Sequence, residues 1–195
     1  SDELPLSPLH WMISDRNSSI TVESVKEGLR VYENPVGVLT NSPTFDMQML
    51  HLNNYMGLTS NFPKNNFAPG LELHRYSNGM GAIGMPGDWS SQSRFVKASF
   101  VKMNSVCGNS EEERVSQFFH ILGSVEQQRG CVQVEKGEYE YTIYSTCCNT
   151  DKGIFYYKTY YNSQITAVDM HKENLEGREL RKYPLLKEAN VFRQN

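Results

Sequence analysis

The groups in this 195-residue chain with chemistry to offer are five histidines, four cysteines, a run of three glutamates and one glycine-rich stretch. Gly79-Met-Gly81-Ala-Ile-Gly84 has the spacing with which backbone N–H groups cradle a pyrophosphate, but that use needs a buried strand before it and a helix after it. Leu73-His-Arg-Tyr-Ser-Asn78 is no buried strand and Met85-Pro86-Gly87-Asp88 interrupts any following helix, so the glycines read as serving a tight, close-packed loop. His10, His51, His74, His120 and His171 are scattered without the spacing of a zinc or iron site, which argues against a metal. His120, beside the apolar face of a predicted helix, reads as structural. Glu111, Glu112 and Glu113 read as a helix start rather than as paired catalytic carboxylates. An N-terminal serine can attack with its own α-amine as base, yet Ser1 opens a polar, proline-containing segment of the kind that frays. That argues against a nucleophile there.

Cys107, Cys131, Cys147 and Cys148 fit no zinc pattern, and neighbours in a strand point to opposite faces, so bridging Cys147 to Cys148 would be strained. They read as reduced structural thiols, and a reducing cytoplasm follows. The net charge of −3, with Lys and Arg scattered among acids, leaves no basic face for nucleic acid or an anionic membrane. No apolar run approaches the roughly 20 residues that span a bilayer, and the opening Ser-Asp-Glu-Leu-Pro lacks the pattern of a signal peptide. That opening also lacks a Met and reads as mid-protein loop, so the start of the protein is expected upstream. Apolar residues at 38% and aromatics at 11% suffice for a core.

These groups need a scaffold. Three or four short strands, His10 to Asp15, Ile20 to Val25, Leu29 to Glu33 and Val38 to Thr40, are predicted as an antiparallel meander, separated by turn residues. Phe45, Met49, Leu52 and Met56 recur at spacings of three and four and predict a helix ending at Gly57. Residues 59 to 89 read as a long loop, costly unless it has a use. Helices follow from Ser90 to Met103 and from Glu111 to Gln128, the second with Val115, Phe118, Phe119, Leu122 and Val125 as its buried stripe. Tyr139 to Cys148 and Ile154 to Tyr161 read as a hairpin around Asn149 to Gly153, continued by Ile165 to Met170. Strands, then helices, then strands favour an α+β fold over a doubly wound parallel sheet.

Several ordered stretches together resemble one family. Pro8-Leu-His-Trp-Met-Ile-Ser-Asp15, Gly37-Val-Leu-Thr-Asn-Ser-Pro43, Gly79-Met-Gly-Ala-Ile-Gly-Met-Pro-Gly-Asp88, Ser93-Arg-Phe-Val-Lys97, Gln117-Phe-Phe-His-Ile-Leu122 and Asn162-Ser-Gln-Ile165 are similar to the choloylglycine hydrolases, which include bile salt hydrolases and penicillin V acylases. The resemblance covers nearly the whole chain. It implies the C-terminal part of one N-terminal-nucleophile hydrolase domain, a four-layer αββα sandwich in which an N-terminal Cys attacks an amide and its α-amine serves as base.

The resemblance puts that Cys, an Arg, an Asp and a further Asn upstream of this sequence and leaves two catalytic positions within it. Asn41 matches the Asn that helps form the oxyanion hole, and Arg94 matches an active-site Arg that would favour a thiolate by opposite charge. Leu4, Ser7 and Leu9 match a loop bordering the pocket for a steroid body, where apolar contact would bind substrate. The implied activity is cleavage of the amide joining a bile acid to glycine or taurine, without metal or cofactor, in a homotetramer when complete. Penicillin V acylase is the alternative substrate class. A third reading is a non-catalytic piece that binds an apolar ligand or a partner, and the 195-residue chain alone is expected to be inactive.

Overall fold

Alternating side chains build the first sheet of the computed structural model, which describes residues 9–195. His10–Ser14 (β1), Ser19–Val25 (β2) and Gly28–Glu33 (β3) pair antiparallel in the order β1-β2-β3. Asp15 makes the first turn by accepting the N–H groups of Asn17 and Ser18, each at 2.8 Å. Register sets Met12, Thr21 and Tyr32 side by side on one face, with His10 and Glu23 beside them, and Trp11, Val22 and Val31 on the other. The first face is covered by the helices Phe45–Leu52 (α1) and Ser91–Asn104 (α2). Phe45 sets its ring tilted against Tyr32 at 5.8 Å and edge-on to the fully buried Phe95 at 6.0 Å. On the opposite face Trp11, Ile13, Leu29 and Val31 remain 44–70% exposed. This unit ends at Ser105.

The second compact unit runs from Val106 to Asn195. Its helix Glu111–Gly123 (α3) begins with a reciprocal cap in which the Ser110 hydroxyl accepts the Glu113 N–H and Glu113 accepts the Ser110 N–H. Val115 and Phe119 are buried, while Phe118, expected in the stripe, is largely exposed. The sheet Tyr144–Asn149 (β6), Ile154–Thr159 (β7) and Thr166–Asp169 (β8) is antiparallel in that order. Helix α3 is tied to its β6–β7 hairpin by Glu111, which accepts from Asn149 Nδ2 at 2.6 Å, Tyr156 Oη at 2.8 Å and Lys152 Nζ at 2.5 Å. Those donors, Lys152 first, hold the Glu111 carboxyl down at about 2, and burial with the bond to Glu111 pushes the Tyr156 hydroxyl up to about 12. The three glutamates do start a helix, and Glu111 also pins it.

The structure departs from expectation where backbone groups leave their ladder. Val38–Thr40 is no strand, because the Asn34 amide takes the Val38 carbonyl at 2.9 Å and the Thr40 hydroxyl donates to Ser91 O at 3.0 Å. Helix α1 ends at Leu52, a tighter turn over Asn53–Tyr55 follows, and Met56 is 82% exposed rather than on the buried face. Helix α3 stops at Gly123, short of Gln128, because the Gln127 N–H and C=O bond Thr142 at 2.9 and 3.0 Å. The same exchange splits the single strand expected from Tyr139 to Cys148. A separate hairpin, Val132–Glu135 (β4) with Glu138–Glu140 (β5), precedes the break. Cys107, Cys131 and Cys148 are exposed and Cys147 half-buried, so three of the four thiols lack the buried setting expected of structural cysteines.

Candidate functional site

Asn41 is held by what surrounds a short irregular segment. Asn34, buried in the turn after β3, donates its amide to Thr21 Oγ1 at 3.0 Å and to Val38 O, and accepts the Gly37 N–H at 2.7 Å. Gly37 has φ +57°, a left-handed conformation that favours glycine, and a Cβ there would meet the end of the Lys102 side chain, which would have to shift. Lys102 donates to Val36 O at 2.7 Å, and partial burial lowers its pKa. The chain is thereby delivered across the first turn of α2.

That first turn is built by Asp88, Ser90 and Ser93. Ser90 is the N-cap, its hydroxyl accepting the Ser93 N–H at 3.3 Å. Asp88 accepts the Ser90 N–H at 2.9 Å and the Ser93 hydroxyl at 2.6 Å. Hydrogen bonds from the Ser90 and Ser93 side chains hold the Asp88 carboxyl down at about 2. Helix α1 starts differently. Thr44 offers no side-chain cap, and both carboxylate oxygens of the buried Glu23, on β2, accept the Phe45 N–H at 3.0 and 3.1 Å. His10 Nδ1 approaches the same carboxylate at 3.7 Å.

The two helices bring Asn41 and Arg94 together. Arg94 Nη2 donates to Asn41 Oδ1 at 2.7 Å, and Arg94 Nε donates to Trp89 O at 3.0 Å. A guanidinium has donors and no acceptor, so the oxygen of the Asn41 amide must face it. Both N–H groups of Asn41 Nδ2 then point away from Arg94, as an oxyanion donor requires. The thiolate that Arg94 is expected to favour belongs to a cysteine outside this sequence; among the described residues the partners of Arg94 are an amide oxygen and a backbone carbonyl. Arg94 is half-buried and Asn41 exposed.

Leu9 is half-exposed, its carbonyl accepting the Ser24 N–H at 3.0 Å. Leu4, Ser7 and Ser1 lie outside the described residues. The glycine-rich stretch is the tight loop expected: Gly81 is buried, a Cβ on it would lie 2.1 Å from Asn61 O, and its own carbonyl accepts the Thr59 N–H at 2.9 Å. A short turn, Met80–Ala82, takes the place of the helix a pyrophosphate would need. Among the described residues no three His, Cys, Asp or Glu side chains cluster as metal ligands would. Gln48, Ser91 and Glu23 were missed from sequence. Gln48 carried the one legible signal, a polar residue at the i+3 position of the stripe Phe45, Met49, Leu52.

Comparison with known proteins bears on this site. The family model for linear amide C–N hydrolases of the choloylglycine hydrolase family matches residues 2–183. The chain belongs to the choloylglycine hydrolase family. A bile salt hydrolase/transferase from Lactiplantibacillus plantarum is 56% identical over all 195 residues, and one from Clostridium perfringens is 40% identical over the full chain. The chain spans about 60% of the length of these relatives. A crystal structure of a mutant conjugated bile acid hydrolase from Clostridium perfringens superposes with a TM-score of 0.86 at 40% identity, over all of this chain and 60% of that one. A penicillin V acylase from Agrobacterium tumefaciens shares the fold, with a TM-score of 0.64 at 20% identity over 84% of this chain and 45% of that one. This choloylglycine hydrolase chain is α+β, as its strand and helix order predicted.

Proposed function

We propose that the complete protein is a conjugated bile acid hydrolase, of which this chain supplies the C-terminal part and the oxyanion donor. The bond from Arg94 Nη2 to Asn41 Oδ1 carries the reading, because it faces the oxygen of the Asn41 amide to the guanidinium while Nδ2 has no partner among the described residues. The 56% identity to a bile salt hydrolase/transferase supports the substrate class. In this reading a cysteine thiolate upstream of the chain bonds to the amide carbonyl carbon. The carbonyl π pair moves to oxygen, where Asn41 Nδ2 donates to it. The intermediate collapses to an acyl-cysteine as glycine or taurine leaves with a proton from the N-terminal ammonium, and water then releases the bile acid. Arg94 acts through Asn41 as a positioning residue.

The finer features follow the same reading. The sheet of the first unit has one helix-covered face and one open face that carries apolar side chains such as Trp11 and Val31, which supports an αββα sandwich in the complete protein. Leu9, half-exposed beside β2, would contact the sterol body of the substrate in this reading. Exposed Phe62, Phe67, Leu73 and Tyr76 in the loop between the helices support self-association, as a homotetramer. The exposed unpaired thiols support a cytoplasmic setting. Glycocholate, taurocholate and penicillin V offered to the complete protein test the reading. Release of glycine or taurine is expected, and a strong preference for penicillin V would overturn it.

A further inference from the structure

The proposed hydrolase needs Asn41 held to within a fraction of an ångström, and Arg94 controls only the far end of its side chain. The backbone of Asn41 is held by another set of bonds. Ser91 Oγ donates to Asn41 O at 2.7 Å, and Thr40 Oγ1 donates back to Ser91 O at 3.0 Å. Gln48, 1% exposed, places its Nε2 within 3.1 Å of Ser91 Oγ and 3.3 Å of both Thr40 Oγ1 and Asn41 O. Each hydroxyl has one hydrogen, which Ser91 shares between Asn41 O and Thr40 Oγ1 at 3.0 Å and Thr40 gives to Ser91 O. The two Gln48 hydrogens are shared among three acceptors, the two hydroxyl oxygens and Asn41 O. Asn41 O is acceptor only, so the nitrogen of Gln48 must face it.

Gln48 Oε1 is buried and has no partner among the described residues, so the amide is anchored in this network by its donor end. A buried amide with an idle oxygen is costly as a stability device. Leu or Met at this position of the stripe would pack on Phe45 without that cost. What Gln48 provides that an apolar residue does not is a fixed tie between α1, the first residue of α2 and the backbone of Asn41. We infer that Gln48 and Ser91 are positioning residues for catalysis, a clamp that holds the Asn41 backbone while Arg94 sets its amide. This deepens, and rests on, the reading of Asn41 as the oxyanion donor.

The test uses the complete enzyme with Ser91→Ala, Ser91→Thr, Gln48→Met and Asn41→Ala, measuring kcat and KM on glycocholate together with thermal midpoints. A displaced donor costs about 10- to 100-fold in rate. The expected result is a kcat loss of that order in Ser91→Ala and in Gln48→Met, KM within about threefold, and recovery to near wild type in Ser91→Thr. Wild-type kcat in both Ser91→Ala and Gln48→Met overturns the clamp, as does a lowered midpoint with kcat unchanged, which is the mark of a merely structural role. Failure of the underlying reading looks different. There the wild-type enzyme releases no glycine, or Asn41→Ala keeps its rate.

Discussion

Asn41 and Arg94 lie 53 positions apart, and at 2.7 Å each decides what the other can do. The amide of Asn41 has two nearly isosteric orientations, and only the one with its oxygen on the guanidinium turns both N–H donors away from Arg94. Removing an oxyanion donor costs about 10²–10³ in kcat in other hydrolases, so Asn41→Ala in the complete enzyme is expected to fall in that range, read by glycine release. Arg94→Lys separates orientation from charge. It keeps the positive charge but gives up the planar fork that reaches Trp89 O and Asn41 Oδ1 together. A kcat close to that of Arg94→Ala is the expected outcome. Both positions were legible in the sequence only through the motifs around them; by residue type alone each is an ordinary turn Asn or helix Arg. Ser91 was not legible, because a serine at a helix start reads as a cap, and its real partner lies 50 residues away.

At the scale of elements, legibility followed side-chain periodicity and failed where single hydrogen bonds redirect the backbone. Strands β1 to β3, β6 and β7 and helices α2 and α3 stand close to their expected places because alternation and the three-to-four spacing are strong signals. Val38–Thr40 and the end of α3 were misread because Asn34 and Thr142 capture groups that local pattern assigns to a strand and a helix. The hairpin β4–β5 was overlooked because its strands are short and mostly exposed. One element contact has a pH signature. Glu111 sits at about 2 in the fold against 4.5 when free, so its tie between α3 and the β6–β7 hairpin is fully present above the free value. The tie is lost as pH falls from there through about 2. Urea midpoints between pH 6 and pH 2 are expected to fall more steeply in the wild type than in Glu111→Gln, with the two curves converging at the acid end.

At the scale of the whole molecule, the chain spans about 60% of the length of its relatives and leaves an apolar sheet face open at Trp11, Ile13, Leu29 and Val31. Expressed alone, the 195-residue chain is expected to bind an apolar dye strongly, to aggregate and to show no amidase turnover. Turnover that disappears on replacing any of its four cysteines would show that the nucleophile lies within this chain and not upstream of it. The layered α+β character was visible in the order of elements, but the completeness of the layers was not, since a sheet face looks equally apolar whether or not its cover is present. In the proposed mechanism Arg94 works through Asn41. A double-mutant cycle on kcat/KM for glycocholate, with Asn41→Ala, Arg94→Ala and the pair in the complete enzyme, tests it most directly. The double variant is expected to be no slower than Asn41→Ala alone, to within about threefold, because Arg94 has nothing left to orient. Losses that multiply would contradict it and show that Arg94 acts on the reaction independently of Asn41.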